Sequence, residues 1–423
     1  MLVTAEGGMP LKLQIKRMRY GDCAVLEGRR ARLIVDCGSD NQAADGSLTT
    51  RDFAYAAIAA QVNDLMPTHI LVSHLHTDHY RGFLNLGKDV PPLFRAAPPV
   101  DTAFLPWIIL GGRAVLAAPF ARLYLAAPPR TLAHELARGL LELLPILEQE
   151  AEHRQMLQAG DVVPLEGGKL EVLWPQVEPA LKTLPICGKK GFLEADASME
   201  EVFSALGREI SGELLEDGPL LTGALERYLL LLHDGPLAEG ARREALETLK
   251  AARAQADGLR RALWGDEAEG LRPPYPAHLQ ALADFSRQQY HVLVNGINAC
   301  GIIFQWKDKV LFPGDAPPAV ISFLSDQGRF RDRYQIVKLP HHGTGRYFSP
   351  ALPQAEQYII SNGGYRRRAV GKETLEGLAS TGCAFLCTDA HTAPAEFCRY
   401  YQAEGRCHPA CIPITGQQQV TPL

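Results

Sequence analysis

Residues 73–79 read Ser-His-Leu-His-Thr-Asp-His, and no other stretch of the 423-residue chain limits its fold as tightly. His74, His76, Asp78 and His79 put four potential metal ligands within six positions. In an extended turn side chains repeat every second residue, so His74 and His76 point the same way. Asp78 and His79 lie on the next bend, where they can face a second ion. Three neutral imidazoles and a carboxylate form a nitrogen and oxygen donor set that suits Zn²⁺ and, less selectively, Mn²⁺ or Fe²⁺. The bland alternative is a polar turn whose histidines solvate a loop. A set this dense, directly after a buried-looking strand, argues against it.

The surroundings follow α/β grammar, in which sites collect at strand ends. Leu11–Met18, Ala24–Glu27 and Arg32–Val35 read as a strand meander, followed by a helical stretch at Phe53–Leu65 and a short strand at Ile70–Ser73. Leucines near helical spacing predict one amphipathic helix over 131–158, and Leu170–Leu173 returns to a strand. Composition then shifts towards Ala, Leu, Glu and Arg with helical periodicity, as in Ala241–Trp264. Strand patterns resume at His291–Val294, Gly301–Gln305 and Val310–Phe312, and continue at Ile336–Leu339, Tyr358–Ser361 and Ala384–Cys387. The expected division is therefore a core of residues 1–187 and 290–423, with a helical insertion at 188–289.

Composition narrows the partners. A net charge of −5 is not that of a strongly basic nucleic-acid binder, although a local basic patch is compatible with it. No apolar run approaches the roughly 20 residues of a membrane helix, so no membrane partner is expected. The first ten residues lack a basic-then-apolar leader, and the nine cysteines suggest reduced thiols. Both point to the cytoplasm.

The His-X-His-X-Asp-His pattern resembles the signature of the metallo-β-lactamase fold superfamily. Asp36, in Ile34-Val35-Asp36-Cys37-Gly38, is similar to its first motif, an Asp that ends a strand and braces the histidine loop. Asp315, in Phe312-Pro313-Gly314-Asp315, resembles the later Gly-Asp whose carboxylate bridges two metals. His341-His342-Gly343 is similar to the His-His-Gly segment of the ComEC-type branch, the soluble domain of DNA-uptake proteins. Gly21-Asp22, Asn298-Ala299-Cys300, Ser361-Asn362-Gly363 and Thr388-Asp389 echo the same branch. The resemblance implies a four-layer αββα sandwich, two mixed sheets back to back, with metals at one edge and the mainly helical insertion capping or flanking it.

It also implies two divalent metal ions. The first takes His74, His76 and Asp315, with Asn298 standing where most relatives place a His and His291 as the alternative. The second takes Asp78, His79, Asp315 and His342. Such an ion pair produces a metal-activated hydroxide; Asp78 would orient it, and His341 would donate a proton to the leaving group. The implied activity is hydrolysis of a phosphodiester in a nucleic acid or nucleotide, as in a phosphodiesterase or nuclease. The alternatives are hydrolysis of a lactone, thioester or other carboxylic ester, and a non-catalytic, metal-stabilised module that binds a protein partner through its helical insertion.

Arg366, Arg367 and Arg368 follow Gly363-Gly364-Tyr365 and are candidates to hold phosphates. Lys338 and Arg346 flank the His-His-Gly segment and share that reading, as does His391 at a strand end. A solvated surface is the alternative for all of them. His134 is expected at the surface.

Overall fold

The computed structural model describes residues 11–18, 20–40, 48–88, 99–110, 113–114, 116–165, 168–175, 213–233, 239–265, 273–361, 372–380, 382–388, 404–414 and 417–420. Arg366, Arg367, Arg368 and His391 lie outside them, as does the Arg346 side chain.

The strand segments are buried on both faces, and their period-2 alternation divides residues between two cores instead of between core and water. In β2 (Ala24–Glu27), β3 (Arg32–Val35) and β4 (Thr68–Leu71), Ala24, Leu26, Leu33, Val35 and Leu71 face one apolar layer. Val25, Ile34 and Ile70 face another. The first layer also holds Phe304, Phe312, Ile336, Ile359 and Leu386, so it is the space between two sheets.

With β1 (Lys12–Lys16), β5 (Val100–Pro106), β8 (Ala151–Leu157) and β17 (Gln417–Val420), the first sheet runs β17-β1-β2-β3-β4-β5-β8. The second runs β16-β15-β14-β13-β12-β11-β10-β9. Its strands are β9 (Val162–Leu165), β10 (Gly168–Trp174), β11 (Ile303–Trp306), β12 (Val310–Phe312), β13 (Arg333–Lys338), β14 (Gln354–Ile360), β15 (Ala384–Cys387) and β16 (Cys411–Pro413). Each sheet is part antiparallel and part parallel. Short strands β6 (Ile109–Leu110) and β7 (Arg113–Ala114) pair apart from both.

Helices cover the outer faces. On the first sheet lie α1 (Thr50–Ala56), α2 (Ala59–Val62), α3 (Thr77–Tyr80), α4 (Ala117–Ala126) and α5 (Leu132–Glu150). Between β10 and β11 the described residues form α6 (Glu213–His233), α7 (Glu239–Trp264) and α8 (Ala277–Ala299). On the second sheet lie α9 (Pro318–Asp326) and α10 (Lys372–Ala379). The expected αββα order is therefore present.

Leu221, Leu225, Tyr228, Leu246 and Leu249 bury α6 and α7 in the same core as Leu136, Leu140 and Leu147 of α5. Glu148 of α5 accepts from the Tyr228 hydroxyl at 2.9 Å and from Arg242 Nε at 2.9 Å, a polar tie in an otherwise apolar seam. The described parts α6 and α7 lie in this outer layer, and α8, which ends at Ala299, carries Asn298 at the sheet edge.

Two elements differ from the sequence pattern. The helix expected over 131–158 stops at Glu150, and Ala151–Leu157 becomes β8, paired in parallel with β5. Apolar spacing at three and four ends with Leu147, and the open edge of β5 claims the chain beyond Glu150. His291–Val294, expected as a strand, lies inside α8. Leu293 and Ile297, one turn apart, enter the buried core there, so packing overrides the β-branched preference.

Candidate metal centre

Three turns at the sheet edges meet through backbone contacts. Cys37 N–H donates to the His79 carbonyl at 2.6 Å, Asp22 N–H to the Asp78 carbonyl at 3.1 Å, and Gly38 N–H to the Asp22 carbonyl at 3.1 Å. The approach requires a glycine: a Cβ on Gly38 would stand 2.1 Å from the Asp78 carbonyl carbon. From the second sheet, Ile302 N–H donates to the Ser73 carbonyl at 2.7 Å and His341 N–H to the Gly314 carbonyl at 3.2 Å. Asp36, His341 and His342 have φ of 56°, 48° and 59°, a left-handed backbone uncommon for residues with a Cβ. Such strain clusters where side-chain aim matters more than backbone ease.

Asp36 ties the end of β3 to the histidine loop. One carboxylate oxygen accepts from Ser73 N–H at 2.7 Å; the other accepts from the Ser73 hydroxyl at 2.7 Å and lies 2.8 Å from His79 Nδ1. The Ser73 hydroxyl also lies 3.0 Å from His74 Nδ1. With Nδ1 so engaged in both rings, Nε2 is the nitrogen turned towards Asp315. His74 Nε2 is 3.7 Å from one Asp315 oxygen and His79 Nε2 is 3.5 Å from the other.

Asp315 is the hub. His341 Nδ1 lies 2.9 Å and His342 Nε2 3.7 Å from its Oδ2, and His342 Nε2 also lies 3.1 Å from Asp78 Oδ2. Although four imidazoles surround it, neither Asp315 oxygen has hydrogen-bond geometry. His76 Nε2 and His79 Nε2 are likewise buried without a hydrogen bond. Two overlapping donor groups result, His74–His76–Asp315 and Asp22–His79–Asp315–His342, each with its ligand atoms within 4.8 Å of one another.

The structure therefore brings together His74, His76, Asp78, His79, Asp315, His341 and His342. Asn298 is buried beside them, its amide nitrogen 3.4 Å from His341 Nδ1. His291 is exposed on α8 against Tyr290 and belongs to neither donor group. Asp22 and Lys338 join the site unassigned by sequence reasoning. Their signals were Gly21-Asp22, noted only as an echo, and Lys338 beside His-His-Gly, weighed as a phosphate contact. Lys338 is buried, with Nζ 2.7 Å from Asp22 and 3.7 Å from Asp315. Tyr347 stacks on His341 at 3.8 Å and 6°, fixing that ring.

Electrostatics give the cluster its appetite for cations. Asp22, Asp36, Asp78 and Asp315 are buried with one ammonium, Lys338, so with every imidazole neutral three negative charges would stand in excess among the described residues. Burial alone would lower His342, but Asp315 and Asp22 hold it protonated, up to about 9. Burial is likewise overcome at His79, which Asp315 and Asp36 hold charged. Burial does prevail at His76, down to about 3, and at His74, so these two rings stay neutral as ligands must be. Without metal, protons on His79 and His342 offset the carboxylates; a pair of divalent ions fits the same excess and the same unbonded nitrogens.

A family model of the metallo-beta-lactamase superfamily matches residues 17–152, from the end of β1 into β8. The match spans Asp22, Asp36 and the histidine loop. Comparison with curated proteins gave no match. Among the described residues no helix is long and apolar enough to cross a membrane. A superfamily domain with a buried His/Asp cluster that could hold metal ions supports metal-dependent hydrolysis.

Proposed function

We propose that this chain is a hydrolase that holds two divalent cations, zinc by its donor set, and cleaves phosphodiester bonds of a nucleic acid or nucleotide. The observation that carries the reading is the sharing of Asp315 by two buried donor groups. His74, His76 and Asp315 would hold one ion; His79, His342, Asp315 and Asp78 would hold the other, with Asp22 beside it. Bound there, divalent cations bring the pKa of a water towards neutrality and polarise the scissile oxygen.

The chain supplies the rest. Asp78 orients the attacking water through its carboxylate. Asp36 and Ser73 fix the rings of His79 and His74. His341, held flat against Tyr347 with Nδ1 towards Asp315, delivers a proton to the leaving oxygen from Nε2. Lys338 keeps Asp22 ionised. Resemblance of His341-His342-Gly343 to the ComEC-type segment supports a phosphodiester.

The test is turnover of bis(p-nitrophenyl) phosphate and of oligonucleotides by protein loaded with Zn²⁺ or Mn²⁺. Cleavage is expected, abolished in Asp78→Ala and lowered in His341→Ala with metal content intact. Metal loss in His341→Ala would reassign that ring as a ligand. Inert phosphodiesters alongside a consumed lactone or thioester would contradict the substrate, and inertness towards every ester would favour a protein-binding module.

A further inference from the structure

Asp22 stands among the second ion's ligands, yet its side-chain contacts lie on the other side of their rings. Its Oδ2 is 2.7 Å from Lys338 Nζ, 3.5 Å from His79 Nδ1 and 3.5 Å from His342 Nδ1. The opposite nitrogens of the same two rings face Asp315 and Asp78. His79 Nε2 is 3.5 Å from Asp315 Oδ1, and His342 Nε2 is 3.7 Å from Asp315 Oδ2 and 3.1 Å from Asp78 Oδ2. The two nitrogens of an imidazole point to different sides, so a ring that turns Nε2 to a cation turns Nδ1 away from it.

Three nitrogens thus converge on one carboxylate oxygen. An ammonium so close makes that oxygen a poor ligand, because a divalent ion seated on it would stand against Lys338. Both members of the pair are fixed. Asp22 N–H donates to the Asp78 carbonyl at 3.1 Å, and the Asp22 carbonyl accepts from Gly38 N–H at 3.1 Å. Lys338, the last residue of β13, also donates from Nζ to the Gly314 carbonyl at 3.3 Å. Behind the rings, Asp22, Asp36, Lys338 and Ser361 line a cavity of about 20 Å³, close to the size of one water, so the carboxylate has little room to turn. Asp36 lies 2.8 Å from His79 Nδ1 and Ser361 Oγ 3.4 Å from His342 Nδ1, whereas Asp22 reaches both rings.

We propose that Asp22 and Lys338 form a positioning pair for the second ion and do not ligate it. The carboxylate draws Nδ1 of both His79 and His342 to its side, so that both rings present Nε2, and Lys338 holds the carboxylate in place. The assignment rests on the two-cation reading. It confines the second ligand set to His79, His342, Asp78 and Asp315.

The test is Co²⁺ binding to the full chain, read as ions per chain, affinity and visible absorption, whose intensity follows the coordination number of the ion. Asp22→Asn/Lys338→Met is the variant, because it removes one charge of each sign and leaves no unpaired member of the pair buried. Two ions per chain are expected, with the absorption of wild type and an affinity for the second ion weakened roughly tenfold or more. Wild-type affinity in this variant would mean that the pair only balances charge. One ion per chain, or the absorption of a changed coordination number, would make Asp22 a ligand. Either result overturns the proposal. A wild-type chain that takes up no Co²⁺ would instead overturn the two-cation reading, and the pair with it.

Discussion

At the histidine loop four buried carboxylates converge on one ammonium, Lys338; in the seam of α5, α6 and α7 one carboxylate, Glu148, meets the Tyr228 hydroxyl and the guanidiniums of Arg242 and Arg154. Water is scarce in both places. Buried charge is costly unless paired. A pair completed by the chain's own groups joins elements, whereas a lasting excess of one sign calls for a partner from solution.

Substitutions at and around the histidine loop test this contrast. The largest effect is expected for Asp315→Asn, which removes the carboxylate both donor groups share; hydrolytic turnover should fall by ~10³ or more, since a metal supplies several kcal/mol of stabilisation to the reaction. Steady-state kinetics at saturating Zn²⁺ would check it, and near wild-type turnover would remove Asp315 from its central place.

Asp36→Asn touches the brace, not a donor group. Metal affinity should weaken about 10–100-fold, with a fold as stable as wild type at neutral pH. Competition with a chromophoric chelator measures this.

Away from the loop, His134, stacked on the Tyr124 ring, offers a pH test. Its folded pKa lies near 3, below the unfolded 6.5, so its contribution is present above pH 6.5 and is lost as pH falls towards 3, because the unfolded chain takes up the proton first. Between pH 6.5 and 5 the loss is about 2 kcal/mol. His134→Gln should flatten the urea-unfolding profile over that window; an unchanged slope would place the acid sensitivity elsewhere. The smallest effect is expected for Asn298→Ala, less than about tenfold in turnover, because its amide only approaches His341 at 3.4 Å.

The His/Asp cluster was largely legible in the sequence because its core is local. His74, His76, Asp78 and His79 share one loop, and their spacing alone fixes which rings align. Asp36, Asp315 and His342 were reached through motif resemblance. Asp22 and Lys338 were not assigned, since what makes them part of the site is a turn-to-turn contact at Gly38 and the close approach of β13, neither of which local spacing reveals. His134 was misjudged because burial there comes from α4, not from its own helix. In the fold, strands that divide their side chains between two apolar layers were found by alternation. Glu150 as a helix end and His291–Val294 as helix were decided by β5 and by core packing.

Elemental analysis of full-length protein, wild type beside His76→Ala, bears most directly on the paired cluster. Two divalent ions per chain in wild type and one in His76→Ala, the second held by His79, His342, Asp315 and Asp78, is the expected result. A wild-type chain that retains no divalent metal, or a His76→Ala chain that retains two, would contradict it.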